Sequence, residues 1–290
     1  MKFARLASRV AVGGVSAALA TAGLVGVTSS SASAAPVSTT YNCSAAGQTF
    51  PIPVTVDIAL LPSTAVAGFP VPAGLLSFNS TATVPGAVQT LLTNTVNNTG
   101  AKSDDFGTAF GSTVAKAPTA WTKPAAADAN GNWVYTGKGS NAAFVLPKAG
   151  TYTVSMPTAF TLVTTGGSAP VTANCTAAGT PATIGTIALS KQTSTVKAKA
   201  SPTTAKKGAL ILVKGKVTNQ YAKTGGPVAT GKLVVKDGKK TVGKGKLKNG
   251  KFKIKVKGLG VGSHKLTVLY KGDGYTDKSK SKAIKVTIKA

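Results

Sequence analysis

Glutamate is missing from this 290-residue chain, and seven aspartates carry all of its acidic charge. There is one histidine, two cysteines and two methionines, and arginine occurs only at Arg5 and Arg9. Each shortage excludes something. One histidine and two cysteines are too few for a structural zinc site built from those ligands, and His264 has neither a second histidine nor a glutamate with which to build a catalytic or metal-binding group. Asp104 and Asp105 are adjacent, so on a strand they point to opposite sides and cannot act as a paired acid and base. With no arginine after Arg9 there is no planar fork for base edges or phosphates in the rest of the chain, which argues against sequence-specific nucleic-acid recognition. Glu, Arg and Met are good helix formers, and their scarcity beside abundant Val, Thr, Ala, Gly and Ser favours strands and turns.

What is present begins with a leader. Lys2, Arg5 and Arg9 precede an apolar, small-residue stretch from Val10 to Val27. Ala32-Ser33-Ala34 then supplies a small-x-small cleavage site, so residues 1–34 are expected to be a signal peptide and Ala35 the mature start. No later run is apolar enough to span a bilayer, and the mature protein is expected to be secreted, extracellular or cell-wall associated. Export favours pairing of Cys43 and Cys175, which lie near the ends of the first mature region in the similar contexts Asn42-Cys43-Ser44-Ala45-Ala46-Gly47 and Asn174-Cys175-Thr176-Ala177-Ala178-Gly179.

Charge divides the mature chain. Between Ala35 and Ser190 five lysines face four aspartates, whereas Lys191 to Ala290 holds 26 lysines and three aspartates, a net of +23. The stretch Ala178 to Thr186, rich in Gly, Thr and Pro, reads as a linker. Two domains follow, residues 35–186 and 187–290. In the first, Val54–Leu61, Gly131–Tyr135, Asn141–Leu146 and Thr151–Met156 read as strands, with Pro147-Lys148-Ala149-Gly150 as a hairpin turn between the last two. Val88, Leu91, Leu92 and Thr95 share a face, so Gly86–Val96 reads as a short helix. In the second, strands are expected at Leu210–Val217, Lys232–Lys236, Lys239–Lys246, Lys251–Lys257, His264–Tyr270 and Ala283–Ile288. Asp237-Gly238 and Asn249-Gly250 are strong hairpin dipeptides. A two-residue turn at Asn249-Gly250 would pair Lys248 with Lys251, Leu247 with Phe252 and Lys246 with Lys253. Phe252, Ile254 and Val256 would then point inward and the alternating lysines outward.

In the last third, Gly231-Lys232-Leu233, Asp237-Gly238, Gly243 to Leu247, Gly262-Ser263-His264 and Tyr270-Lys271-Gly272-Asp273 follow one another in order. In this the segment resembles the bacterial immunoglobulin-like repeat of surface and secreted proteins. The resemblance implies a sandwich of about seven strands used as a stalk or binding module, with His264 a structural residue at a strand entry. Tyr41-Asn42-Cys43 and the second cysteine give the first domain a fainter likeness to secreted actinobacterial β domains of unknown function. The expected class is therefore all-β, two β-sandwich domains, the second immunoglobulin-like.

No catalytic residue, metal or cofactor is expected. Ser and Lys abound, but abundance selects no dyad. Asp273 and Asp277 read as turn residues rather than calcium ligands. Leu61-Pro62-Ser63-Thr64-Ala65 resembles a sortase signal but sits near the mature start, so it reads as a loop or strand end. The lysines invite an anionic partner, a cell-wall or extracellular polymer, with Lys244, Lys246, Lys248, Lys251, Lys253, Lys255 and Lys257 as the expected binding surface. The alternative is a structural or adhesive surface protein that acts by protein contact, with the charge incidental.

Overall fold

The computed structural model describes residues 35–58 and 61–290; the signal-peptide expectation for residues 1–34 lies outside them. The chain is nearly all β, in two units with separate cores.

In the first unit eight strands close into a barrel, in the order Val37–Ala45, Thr172–Ala177, Ala159–Thr165, Gly100–Ser103, Thr119–Thr122, Trp133–Ser140, Ser77–Val84 and Gln48–Asp57. A five-stranded sheet that includes Gly150–Ser155 and Thr183–Ser190 shares the barrel's core. Alternation sets the barrel wall: Tyr41 and Cys43 point inward between exposed Thr40, Asn42 and Ser44, as a strand buried on one face requires. Cys43 stands opposite Cys175 across a strand pair, and the two form a disulfide. The helix spans Gly86–Val96 as the periodicity predicts, and ends on Asn97 in the left-handed conformation, φ 49°, a common helix stop.

Two expectations for this unit are corrected. Phe144–Val145 pairs with Pro70–Val71, while Gly150–Ser155 pairs with Thr183–Ser190. The turn-like residues 147–150 therefore connect two sheets rather than closing a hairpin. The Gly/Thr/Pro-rich stretch read as a linker runs into Thr183–Ser190, a strand of the first unit whose Ile184, Ile187 and Leu189 are buried. The boundary at residue 186 cuts this strand, and the join between the units falls at residues 191–193. Thr64–Val66, within the sortase-like pentapeptide and just beyond it, is a strand parallel to Ala188–Ser190.

Gln192 forms that join and is fully buried. Its Nε2 donates to the Ala67 carbonyl at 2.9 Å and its Oε1 accepts from the Tyr221 N–H at 3.1 Å. Its main chain bonds Tyr275 and Asp277, and Phe69 meets Tyr221 edge-on at 5.2 Å. Gln192→Ala strands two buried polar groups, each worth about 1–3 kcal/mol. The expected loss is about 2 kcal/mol or more, read as a lower urea midpoint with an unchanged m-value.

The second unit is a sandwich. Ser194–Ser201, Ile211–Asn219 and Lys251–Val256 make a three-stranded sheet. The facing six-stranded sheet contains Thr204–Lys206, Lys232–Asp237, Lys240–Lys246, Gly262–Tyr270, Ser279–Lys280 and Ile284–Lys289. Phe252, Ile254 and Val256 are buried between the sheets, as the alternation predicts.

Candidate functional site

The outer face of the three-stranded sheet is built almost wholly from lysine. Val196 and Ala200 on the first strand, and Val213 and Val217 on the second, turn inward. The period of two then leaves Lys197, Lys199, Lys214, Lys216, Lys251, Lys253 and Lys255 outside, and all seven are exposed. Register lines them up: Lys197 faces Lys216, which faces Lys251, and Lys199 faces Lys214, which faces Lys253. Neighbouring strands lie about 4.8 Å apart, so two rows of three lysines run across the sheet, with Lys255 beside Leu212 in the next row. Between the rows lies a shallow groove of about 370 Å³. Gly215 holds the middle strand close to its neighbours, because a Cβ there would meet the Lys197 carbonyl at 2.1 Å and the Phe252 ring at 2.7 Å.

This lattice is not the surface expected from the sequence. The type I′-like turn forms, with Asn249 at φ 50° and Gly250 at φ 69°, and Lys248 pairs with Lys251. Pairing stops there. Lys240–Lys246 joins Lys232–Asp237 in one sheet, and Lys251–Val256 joins Ile211–Asn219 in the other, so Leu247–Phe252 and Lys246–Lys253 are not ladder pairs. Gly243 and Gly245 explain the divergence. A Cβ at either would lie 2.9 or 2.7 Å from Ile254, so these strands stack face to face across the core. Of the seven lysines expected to act together, Lys251, Lys253 and Lys255 lie on the lattice. Lys244 and Lys246 lie on the opposite sheet, Lys248 is at the turn and Lys257 is past the strand end. Lys197, Lys199, Lys214 and Lys216 take their place. The signal for them was Val196-Lys-Ala-Lys-Ala200 and Val213-Lys-Gly-Lys-Val217, two alternating pentapeptides of one pattern.

The opposite sheet also carries lysines. There Lys265 faces Lys285 and Lys232 faces Lys246, but Thr267 faces Lys236 and Val234 lies between Leu269 and Lys244. Lys206 also faces Lys289, so opposed lysines on that face come as separate pairs, whereas on the other they run in continuous rows of three.

The three aspartates of this unit lie at its ends. Asp237 and His264 pair at 2.6 Å, and the other ring nitrogen of His264 meets the Gly260 carbonyl at 2.8 Å. The Asp237 hydrogen bond and the Gly260 carbonyl raise the His264 pKa, against a small opposing effect of burial. The protonated ring therefore favours the folded state. Its contribution is complete below the ordinary histidine value of about 6.5 and is lost as pH rises through the higher folded value. Urea midpoints are expected to fall between pH 5.5 and 9 by the equivalent of about 1 kcal/mol or less, and His264→Gln removes that dependence. Asp273 accepts from Tyr275 N and Thr276 N through one oxygen and from Thr230 N and Oγ1 through the other, at 2.7–2.8 Å. Burial works against its charge, and these bonds outweigh it and lower its pKa. Its oxygens are committed to a turn, as the sequence predicts. Among the described residues, no three His, Cys, Asp or Glu side chains converge on a metal-sized site. No helix among them is long and apolar enough to cross a membrane.

The two-sheet sandwich of the second unit is immunoglobulin-like. Residues 197–289 match the family described as bacterial Ig-like domain (group 3). Among solved structures, the chain is similar to the adhesin InvE of Yersinia pseudotuberculosis, at 16% identity and a TM-score of 0.30, over 81% of this chain and 59% of that one. It is also similar to a Corynebacterium diphtheriae protein described as membrane anchored, at 13% identity and a TM-score of 0.29, over 87% of this chain and 58% of that one. The chain thus spans less than two thirds of either structure. No curated protein matches it.

Proposed function

We propose that this is an exported, non-catalytic protein of the cell envelope whose immunoglobulin-like unit holds a linear anionic polymer along the lysine lattice. One observation carries the reading: two in-register rows of three lysines on a face that bears no acidic side chain. Like charges directly opposite in a sheet are destabilising, and a polymer of regularly spaced negative groups relieves that repulsion. Lysine suits this task, since ammonium groups act as point charges without demanding the planar geometry that arginine reads. The barrel's disulfide fits an oxidising, extracellular setting.

The test uses immobilised poly(glycerol phosphate) and the full mature chain. Changing Lys197, Lys199, Lys214 and Lys216 to Gln is expected to abolish retention. Changing Lys232, Lys246, Lys265 and Lys285 on the opposite sheet is expected to leave most of it. Equal losses from the two sets would overturn the assignment to one face. Retention on intact cell wall that ignores both sets would favour protein contact instead.

A further inference from the structure

An eight-stranded barrel has an interior that side chains can just fill, or that can hold one small ligand. Here the filling is uneven. Deep in the barrel the aromatic rings close ranks: Phe106 meets Phe160 at 5.0 Å and Trp121 at 5.7 Å, and Tyr41 meets Phe160 at 4.8 Å. Strand Trp133–Ser140 makes room for them with Gly137 and Gly139, where a Cβ would strike the Trp121 and Phe78 rings. Toward the helix, Ala45, Ala82, Ala101 and Ala173 are interspersed with larger side chains such as Phe50, Ile52 and Leu162, and a cavity of about 180 Å³ remains.

The helix roofs this space without filling it. Val88, Leu91 and Leu92 line the cavity, and Leu91 is still 55% exposed at its rim. What pins the helix is polar. Tyr135 Oη donates to Gln89 Oε1 at 2.6 Å, Asn98 Nδ2 donates to Tyr135 Oη at 2.7 Å, and Gln89 Nε2 donates to Asn98 Oδ1 at 3.2 Å. Gln89 and Asn98 are each only 1% exposed. A buried, mutually satisfied network of this kind fixes geometry, and it holds the roof at a set height above the apolar chamber.

We propose that this chamber binds a hydrocarbon group on a molecule with an uncharged polar head. An apolar cavity of about 150 Å³ is known to stay dry and to take up benzene. By that measure this one holds about six to eight carbon atoms. Among the described residues none of those that line it is charged, and Gln48 and Thr95 are the exposed polar ones. A neutral head finds hydrogen-bonding groups there, whereas a carboxylate finds no cation.

The test uses the full mature chain in a Trp133→Phe background, so that emission comes from Trp121 in the cavity wall. Titration with 1-alkanols from hexanol to dodecanol is expected to quench or shift that emission saturably. Affinity should rise about fourfold per added methylene and level off near octanol, when the chamber is full. Octanoate should bind about tenfold or more weaker than octanol, because its charge is desolvated without a partner. Ala173→Leu fills the chamber and should abolish binding. Leu91→Asp, at a position 55% exposed, should weaken it. No saturable response in the folded wild type overturns the proposal. So does an affinity that climbs unbroken through dodecanol and is the same in both variants, since that is surface partitioning.

Discussion

Replacing Cys43 and Cys175 with alanine is expected to lower the stability of the barrel unit by about 4–5 kcal/mol. The bond closes a loop with a sequence separation of 132. In the chain-entropy account a loop of that length costs about 5 kcal/mol to close from the unfolded chain at 25 °C. The two cysteines are opposed in register on strands that already pair, and each is at most 1% exposed. The native state therefore offers little to offset the loss. For a unit of this size the change corresponds to a fall in melting temperature of about 10–15 °C. Both tryptophans, Trp121 and Trp133, lie in this unit, so their fluorescence follows its unfolding alone, with and without reductant. A shift of only a degree or two would mean that the first and last strands stay together in the unfolded chain without the bond.

How far the sequence reveals this architecture depends on whether the deciding contact is local. The helix is legible because its signal, the shared face of Val88, Leu91, Leu92 and Thr95, lies within one short segment. The turn at Asn249-Gly250 is legible for the same reason. The fate of the residues flanking it is not, because whether strands pair edge to edge or stack face to face depends on Ile254 meeting Gly243 and Gly245 across the core. The barrel is closed by the pairing of Val37–Ala45 with Thr172–Ala177, a contact that no local pattern announces. Thr183–Ser190 is hidden for a different reason. Its Gly185 and the preceding Pro181 read as breakers, and the buried Ile184, Ile187 and Leu189 depart from a period of two, at a register shift opposite Val154 and Ser155. For the lysines, charge count located the unit and alternation located the exposed faces. Which lysines are neighbours needed the register.

Salt is expected to act in opposite directions on the immunoglobulin-like unit and on its hold on a polyanion, and the lattice geometry is the reason. Four lysine pairs, 197 with 216, 216 with 251, 199 with 214 and 214 with 253, are directly opposed. At about 0.2–1 kcal/mol for each unfavourable pair, the face costs the free protein about 1–4 kcal/mol in total. Ions screen that repulsion over a distance of about 10 Å at 0.1 M and less at higher salt, so the unit's melting temperature should climb with ionic strength. Binding should do the reverse. A polymer that engages six lysines displaces its condensed counterions, and affinity should fall about 10³-fold between 50 and 200 mM salt. The Lys197, Lys199, Lys214 and Lys216 quadruple glutamine variant should relieve all four pairs, melt higher than the wild type at low salt, and lose most of the salt slope, about three log units of affinity per log unit of salt. The Lys232, Lys246, Lys265 and Lys285 variant relieves two opposed pairs rather than four, so it should raise the low-salt melting temperature about half as much and leave most of the salt slope of binding. If salt moves stability and binding in the same direction, the lysines are not opposed across the strands as described. If the salt slope survives the quadruple change, the polymer lies elsewhere.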